Sequence, residues 1–397
     1  MISRIFVPRP KKNMKKRQRN NNTFDLKRKP LLLAYPADIK MVGWARALEK
    51  YDISICLFTS AFRYLQKVFG SWIRRTPRGK PIFLVHRYIG DYPSHILALF
   101  GLVFTCALCF FSLFRSVHLL WFLHDVDKDT VCYHPIINKL RRFLLAKYSC
   151  SIFVIDPLLI RHAEQHIPPR YQHKLRWTCF GVYEPSGDFK TKHSIQTDPK
   201  FLDNLEKFLS RRSLEVERGR KKHLIGLCLT NVAAKYKHIH LAPRLIEEAE
   251  QNGIFSISLI IAGSFEQKAC FAPNVIEKIR KNAQIFLWAN EVAFDEIKMR
   301  DLFDFIWRIN DDFSVPLTAY VASTCKAPLL TLRTGFLPEL VDSFNLGAVL
   351  ENDFSNVDDC LVAISGLGVS NFHSKFLSSR NWDAGAEQIW NVIKMNS

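Results

Sequence analysis

The sequence predicts an α/β protein made of two Rossmann-like domains that face a central cleft, and three observations carry that expectation. The chain has 397 residues, more than one hydrophobic core usually organises. From Leu31 onward, short apolar runs alternate with longer amphipathic ones, the rhythm of strands joined by helical crossovers in a parallel sheet. A polar stretch containing Pro185, Ser186, Gly187 and Asp188 breaks that rhythm and divides it into two units. The expected organisation is a tail over 1–30, an N-terminal domain over 31–180, a linker over 181–200, a C-terminal domain over 201–380, and a helix over 381–397 that packs back on the first domain.

In the first unit the strand candidates are LLLAY at Leu31, ISICLF at Ile53, IFLVH at Ile82, HLLWFLHD at His118 and SIFVID at Ser151. Helical patterns run from Met41 to Lys50, through Phe69, and from Pro135 to Lys147. The second unit offers HLIGLCL at His223, SISLIIAG at Ser256, AQIFLWA at Ala283, DFIWRI at Asp304, APLLTL at Ala327 and GAVLE at Gly347. In paired domains of this type, ligands belong beyond the carboxyl ends of the strands, in the crevice between the sheets.

The net charge of +19 is unevenly spread. Eleven basic residues between Arg4 and Lys29 stand against Asp25 alone. Such a block buries too little apolar surface to offset its ordering entropy, so disorder is expected. It lacks the apolar core of a signal peptide. Attraction to anionic lipid headgroups is the leading reading, followed by non-specific nucleic-acid contact or a merely solvated tail. No RNA-recognition or zinc-finger module is present, so no specific nucleic-acid partner is expected.

The segment from Ile96 to Phe114 carries no charge and has nearly the length of a membrane span. A strand precedes it and another follows, so a crossing would put parts of one sheet on opposite sides of the bilayer. The expectation is a crossover helix whose outer face dips into the lipid interface, in a cytoplasmic protein held peripherally or monotopically at the inner face of the membrane. The ten cysteines are scattered. Cys106 and Cys109, the close pair, have no His or charged neighbours and read as reduced, buried thiols rather than a zinc site.

The stretch WRINDDFSVPLTAYVASTCKAP, from Trp307 to Pro328, is the richest in chemistry. A strand is expected to end at about Ile309 and a helix to begin near Val315, with Ser314 as N-cap and Pro316 in the first turn. Free amides and the positive dipole end would then face the crevice as an anion site, and Arg308 would form a bidentate pair with a diphosphate. An ordinary helix cap explains the same spacing. TNVAAKYKH, from Thr230 to His238, brings Lys235 or Lys237 to the same crevice, without the glycine fingerprint of a dinucleotide cradle. TGFLPELV puts Gly335 in a turn and Glu339 at a helix start. There the carboxylate would accept ribose hydroxyls or simply stabilise the helix.

In the N-terminal half, His124 and Asp125 close a strand, where either would act as general base toward an acceptor hydroxyl. Asp125 and Asp127 form a DxD pair that reads alternatively as a metal site. Lys128 and the lack of a second His/Asp cluster count against that alternative. His86, beside Arg87 at another strand end, would meet a phosphate or serve a structural role, and His238 and His240 carry the same ambiguity.

Lys237 in YKH, the IAG turn at Ile261 to Gly263, Arg308 with Ser314, and the run ASTCKAPLLTLRTGFLPELV with Pro328, Gly335 and Glu339 together resemble the donor domain of GT-B glycosyltransferases of the family-4 kind. WFLHDVDKD resembles the Val-His-Asn strand end of relatives that glycosylate lipid-linked acceptors, and CFGVYEP resembles their His-Gly-containing turn. The chain departs from the pattern at His238 in place of a glycine, Phe180 in place of a histidine, and Phe313 and Val321 near the positions of a Glu-x7-Glu pair. Without that pair a retaining mechanism is weakened and inversion stays open. The resemblance implies a hexosyltransferase-type enzyme of polysaccharide biosynthesis, moving a sugar from a nucleotide-diphosphate donor to a lipid-linked or oligosaccharide acceptor. Lys237, Arg308, Ser314, Gly335 and Glu339 would hold the donor, Asp125 and His124 would be catalytic, and neither a cofactor nor a divalent metal would be required. The competing readings are a basic nucleic-acid-binding protein and a metal-dependent hydrolase using HDVDKD.

Overall fold

The computed structural model describes residues 29–75, 81–87, 94–126, 134–182, 199–219, 221–229, 238–251, 253–263, 273–288, 300–366 and 372–397. The basic tail, most of the linker, and the positions Asp127, Asp129, Lys235 and Lys237 lie outside the described residues.

Predominantly apolar runs such as IFLVH and FSISLIIA offer little to water, so both sheet faces must be covered, the condition under which all-parallel sheets form. Every residue of these two strands is buried. The first sheet comprises β1 (Leu31–Tyr35), β2 (Ser54–Leu57), β3 (Ile82–His86), β4 (Val117–Leu123), β5 (Ser149–Val154) and β6 (Leu175–Trp177). Its strands are parallel in the order β2-β1-β3-β4-β5-β6. The crossovers are α1 (Ile39–Leu48), α2 (Ala61–Arg75), α3 (His95–Phe111), α4 (Pro135–Tyr148) and α5 (Ile160–His166). Strand β6 escapes sequence reading because its three residues, Leu-Arg-Trp, are too few to show a period, and they pair with β5 at the sheet edge.

The second unit opens on α6 (Pro199–Gly219) and continues through β7 (Lys222–Leu229), α7 (Ala242–Gln251), β8 (Phe255–Ala262), α8 (Pro273–Lys281), β9 (Ile285–Trp288) and β10 (Phe305–Trp307). It closes with α9 (Leu317–Cys325), β11 (Leu329–Leu332), α10 (Leu337–Phe344), β12 (Gly347–Leu350), α11 (Val357–Gly366), α12 (Phe372–Ser379) and α13 (Trp382–Met395). The strand order is β12-β11-β10-β7-β8-β9, again parallel.

The two strand orders locate the crevices. In the first sheet the chain leaves β1 toward β2 and then places β3 on the other side of β1. In the second it runs from β7 to β8 and β9, then places β10 on the other side of β7. Crossovers diverge at β1/β3 and at β7/β10, so the carboxyl ends of these strands are the open positions of each domain.

Helix α13 lies against α1 of the first domain. Trp382 seats its indole where an added Cβ on Gly43 would come within 2.6 Å of the ring, so the close approach needs glycine. Its Nε1 donates to the Val182 carbonyl at 2.9 Å, and Trp390 stacks on Tyr51 at 5.1 Å. Arg380, just before α13, donates through Nε to the buried carboxylate of Asp156 at 2.8 Å. Cys109 is buried but Cys106 is exposed on α3, which corrects the expectation that this pair is buried. Among the described residues no helix is long and apolar enough to cross a membrane.

Removing one partner of a buried ion pair leaves the other uncompensated. Arg380→Ala is therefore expected to lower unfolding stability by about 3 kcal/mol at neutral pH, whereas Phe62→Ala, at a side chain 69% exposed, should stay within about 0.5 kcal/mol. Denaturant unfolding of the two variants checks both values.

Candidate functional site

The site begins where β1 ends. Asp38 caps α1, accepting from the amides of Lys40 at 3.1 Å and Met41 at 3.0 Å, as an N-cap carboxylate should. Its second oxygen accepts from Arg87 at the end of β3. Lys40, in the first turn of α1, reaches His124 Nε2 at the end of β4. His124 Nδ1 lies 3.1 Å from Asp125 Oδ1. One chain of polar contacts and backbone thus spans the ends of β1, β3 and β4.

The electrostatics fix the proton positions. Burial, and then the neighbouring Lys40 and Arg87, hold the His124 imidazole below its ordinary pKa, so the ring is neutral near pH 7. Lys40 has only protons to offer, so Nε2 is the acceptor and Nδ1–H donates to Asp125. Burial pushes the Asp125 carboxyl up, but His124, Lys40 and Arg142 outweigh it and the pKa falls below the ordinary value. Arg142 also donates to the Asp125 and Val126 carbonyls, at 2.6 and 3.0 Å, which fixes this strand end. Burial above all, and then Arg87, lowers the Lys40 ammonium from 10.5 to about 8. The ammonium rests 4.5 Å from the centre of the Phe180 ring, a cation–π seat where the resemblance would place a histidine.

The second domain supplies the facing wall. Strand β10 ends at Trp307, short of Ile309, and Arg308, Asn310, Asp312 and Ser314 are buried in the loop before α9. The expected capping role of Ser314 is not what the structure has. Helix α9 begins at Leu317, its N-cap is Pro316 in extended geometry, and no side chain caps it. The cause is Pro316 itself, whose ring disfavours the α conformation at Val315 and so delays the helix. The Ser314 hydroxyl turns instead to Asp312, whose Oδ1 also accepts from Asn310 Nδ2 at 3.2 Å. Burial, and then the charge of Asp125 across the cleft, raises Asp312 to about 6 despite Ser314, Asn310 and Arg308. Lys40 feels both Asp125 and Asp312. A backbone bond from Val126 N to Phe313 O, 3.2 Å, joins the two walls directly.

Gly335 braces this loop. It has φ +65°, in the left-handed region that disfavours a side chain. A Cβ there would also fall 2.7 Å from the Asp312 carbonyl oxygen, while Phe336 N donates to that same oxygen at 3.1 Å. Glu339, in the first turn of α10, faces the first domain. Its Oε2 accepts from Arg161 at 2.7 Å and pairs with His162 Nε2 at 2.8 Å, both on α5, while Oε1 is buried without a hydrogen-bond partner.

The structure brings His124, Asp125, Arg308 and Ser314 around one cluster, with Gly335 supporting it and Glu339 bridging the domains beside it. His86 stands apart from phosphate chemistry. It is buried next to Phe104, its ring nitrogens have no hydrogen-bond partner, and burial drives its pKa to about 3. His238 takes a left-handed φ of 49° and lies 3.2 Å from Asp311. Asp38, Lys40, Asp312 and His162 were not singled out by sequence reading. Of these, only Asp38 left a local signal, an Asp just ahead of an amphipathic helix. Among the described residues no group of three His, Cys, Asp or Glu is placed to hold a metal ion.

No protein-family model and no curated protein matches the chain. Its fold is similar to that of a glycosyltransferase from Rickettsia africae ESF-5, at 13% identity and TM-score 0.58, covering 93% of this chain and 98% of that one. It is similar to a sucrose-phosphate synthase from Thermosynechococcus elongatus, at 10% identity and TM-score 0.60 over 93% and 99%. It is also similar to Anabaena HepE in complex with UDP-glucose, at 12% identity and TM-score 0.55 over 92% and 99%. Against the longer TarM the chain spans about half, 54% of that protein. These likenesses and the two six-stranded parallel sheets establish the architecture as two Rossmann-like domains in the GT-B arrangement.

Two measurements probe the cluster. The unfolded chain holds the Lys40 proton up to 10.5 and the folded chain only to about 8. More protons are bound in the unfolded state between those values, so Lys40 makes stability rise with pH across that window. Lys40→Met should remove that contribution, read as the difference between the two stability–pH curves. Gly335→Ala should cost at least about 2 kcal/mol in denaturant unfolding, from the combined backbone strain and collision.

Proposed function

We propose that this protein is a glycosyltransferase that moves a sugar from a nucleotide-diphosphate donor to a lipid-linked, membrane-associated glycan. The observation that carries the reading is the buried cluster at the carboxyl ends of both sheets, in which two carboxylates from different domains have pKa values pushed in opposite directions, Asp125 down and Asp312 up to about 6. Asp125 orients the His124 ring and Asp312 faces the Lys40 ammonium, which leaves His124 as the group that can exchange a proton in the cleft.

The donor diphosphate fits between Arg308 and the first amides of α9, which have no partner within the helix. Lys237, which follows β7 in the sequence and lies outside the described residues, would add charge to the same ligand. That HepE, with the same fold, was crystallised with UDP-glucose makes uridine the first base to test. The acceptor hydroxyl enters at His124 Nε2, displacing the Lys40 ammonium toward Asp312. Its proton passes to Nε2 as its oxygen bonds to the sugar C1. The C1–O bond to the diphosphate breaks, and the diphosphate leaves with the electron pair toward Arg308. Asp125 keeps Nδ1 protonated and stabilises the imidazolium that forms.

Calorimetric titration with a panel of UDP- and GDP-sugars should show saturable binding of at least one donor. Arg308→Ala should weaken it by about tenfold or more, the worth of a charge-assisted pair. His124→Ala should leave donor binding intact and slow transfer by about a hundredfold to ten-thousandfold. Absence of binding to every donor, or binding indifferent to Arg308→Ala and Lys237→Ala, would sink the reading.

A further inference from the structure

Helix α3 turns Ala98, Thr105, Leu108 and Cys109 toward the interior. A surface helix of a globular domain ordinarily puts charged and polar residues on its other face. Here that face carries Ile96, Phe100 and Val103, exposed by 67%, 66% and 64%, and the helix contains no charged residue. Its neighbours extend the surface. Trp72 of α2 packs on Phe111 and Phe114 at 5.9 and 4.7 Å. Arg141 of α4 donates to Thr105 at 3.2 Å, and the starts of α3 and α4 meet where His95 and His134 lie 4.2 Å apart. Among the described residues, thirteen of the seventeen exposed large apolar side chains fall between Phe62 and Phe143, leaving Leu202, Ile254, Val362 and Met395 elsewhere. An apolar surface concentrated in this way marks an interaction site.

The charge around it selects the partner. Helices α2, α3 and α4 contain no Asp or Glu. Arg63, Lys67 and Arg74 on α2, Arg115 after α3, and Lys139 and Lys147 on α4 are all exposed. We propose that the outer face of these three helices docks on an anionic lipid bilayer, with its apolar side chains in the interfacial layer and its cations at the headgroups. Helices α3 and α4 begin beyond the carboxyl ends of β3 and β4, the strand ends that lead to Arg87 and His124. The docked face therefore opens on the same end of the domain as the cluster, within reach of a lipid-linked acceptor. This deepens the transferase reading and borrows from it only the acceptor's location.

The test is flotation of the full chain with phosphatidylcholine–phosphatidylglycerol vesicles. It is done in roughly 1 M salt, where the Debye length falls to about 3 Å and attraction by the basic tail is screened. The wild type should float, and Ile96→Glu/Phe100→Glu/Val103→Glu should reduce the bound fraction by at least about tenfold. Ile254→Glu/Val362→Glu, at exposed apolar positions on the other domain, should float as the wild type does. Thermal melting should match across all three, since every altered side chain is exposed. The proposal is overturned if the wild type stays in solution or if the triple variant floats undiminished. It is equally overturned if the lipid-free wild type sediments as a dimer that the triple variant dissolves, because the face is then an interface between copies. Donor binding measured on the same preparations separates the two ideas: flotation without donor binding would leave this surface standing and remove the transferase reading.

Discussion

A half-buried ammonium group must be matched by its surroundings, and Lys40 is the group around which this cleft is organised. Desolvation weakens its hold on the proton, as does the neighbouring Arg87. What keeps it largely protonated near pH 7 is the set of carboxylates at Asp38, Asp125 and Asp312, with His124 Nε2 as its hydrogen-bond acceptor. The three carboxylates come from three different strand ends, and Asp312 comes from the other domain. Matching one charge therefore fixes the relation of β1, β4 and the loop after β10. Arg87 opposes the ammonium but is itself held by Asp38, which brings β3 into the same balance.

The balance also sets the chemistry. With Lys40 at Nε2, the His124 ring is held in the tautomer that a base needs and kept from acting as one. An acceptor hydroxyl that replaces the ammonium would release it. Gly335 lets the turn after β11 lie directly on the Asn310–Asp312 loop, so the position of Asp312 is set by backbone packing as well as by charge. The pairing of Glu339 with Arg161 and His162 closes the domains at a second point. Opening the cleft would free Glu339 and separate Asp312 from Lys40 and Asp125.

Much of the fold was legible because parallel strands buried on both faces leave continuous apolar runs, and eleven of the twelve strands sit on such runs. The residues that end strands, His124, Asp125 and Arg308, were legible for the same reason, since in this architecture a strand end is a place in the cleft. Lys40 was not, because its partner His124 is 84 positions away, and nothing local distinguishes a half-buried lysine in an amphipathic helix from a solvated one. Ser314 was misread as a cap because capping preference is a local rule, and the restriction that Pro316 places on Val315 outweighs it. The Glu339 pairing with α5 is likewise a contact between domains with no trace in the spacing of TGFLPELV. The apolar outer face of α3 was legible as composition, but its continuation onto α2 and α4 exists only in three dimensions.

In the proposed transferase, one cleft, walled by the ends of β1, β4 and β10, receives the donor. Amide hydrogen exchange of the full chain with and without a saturating UDP-sugar reads this directly. Donor binding should protect the segment from Arg308 through Thr318 and the turn at Thr334 to Phe336, with weaker protection at Asp38 to Met41 and at His124 to Val126. Protection confined to the opposite end of the second sheet, where Lys222, Arg300 and Lys326 line a separate cavity, with the cleft segments unchanged, would contradict it.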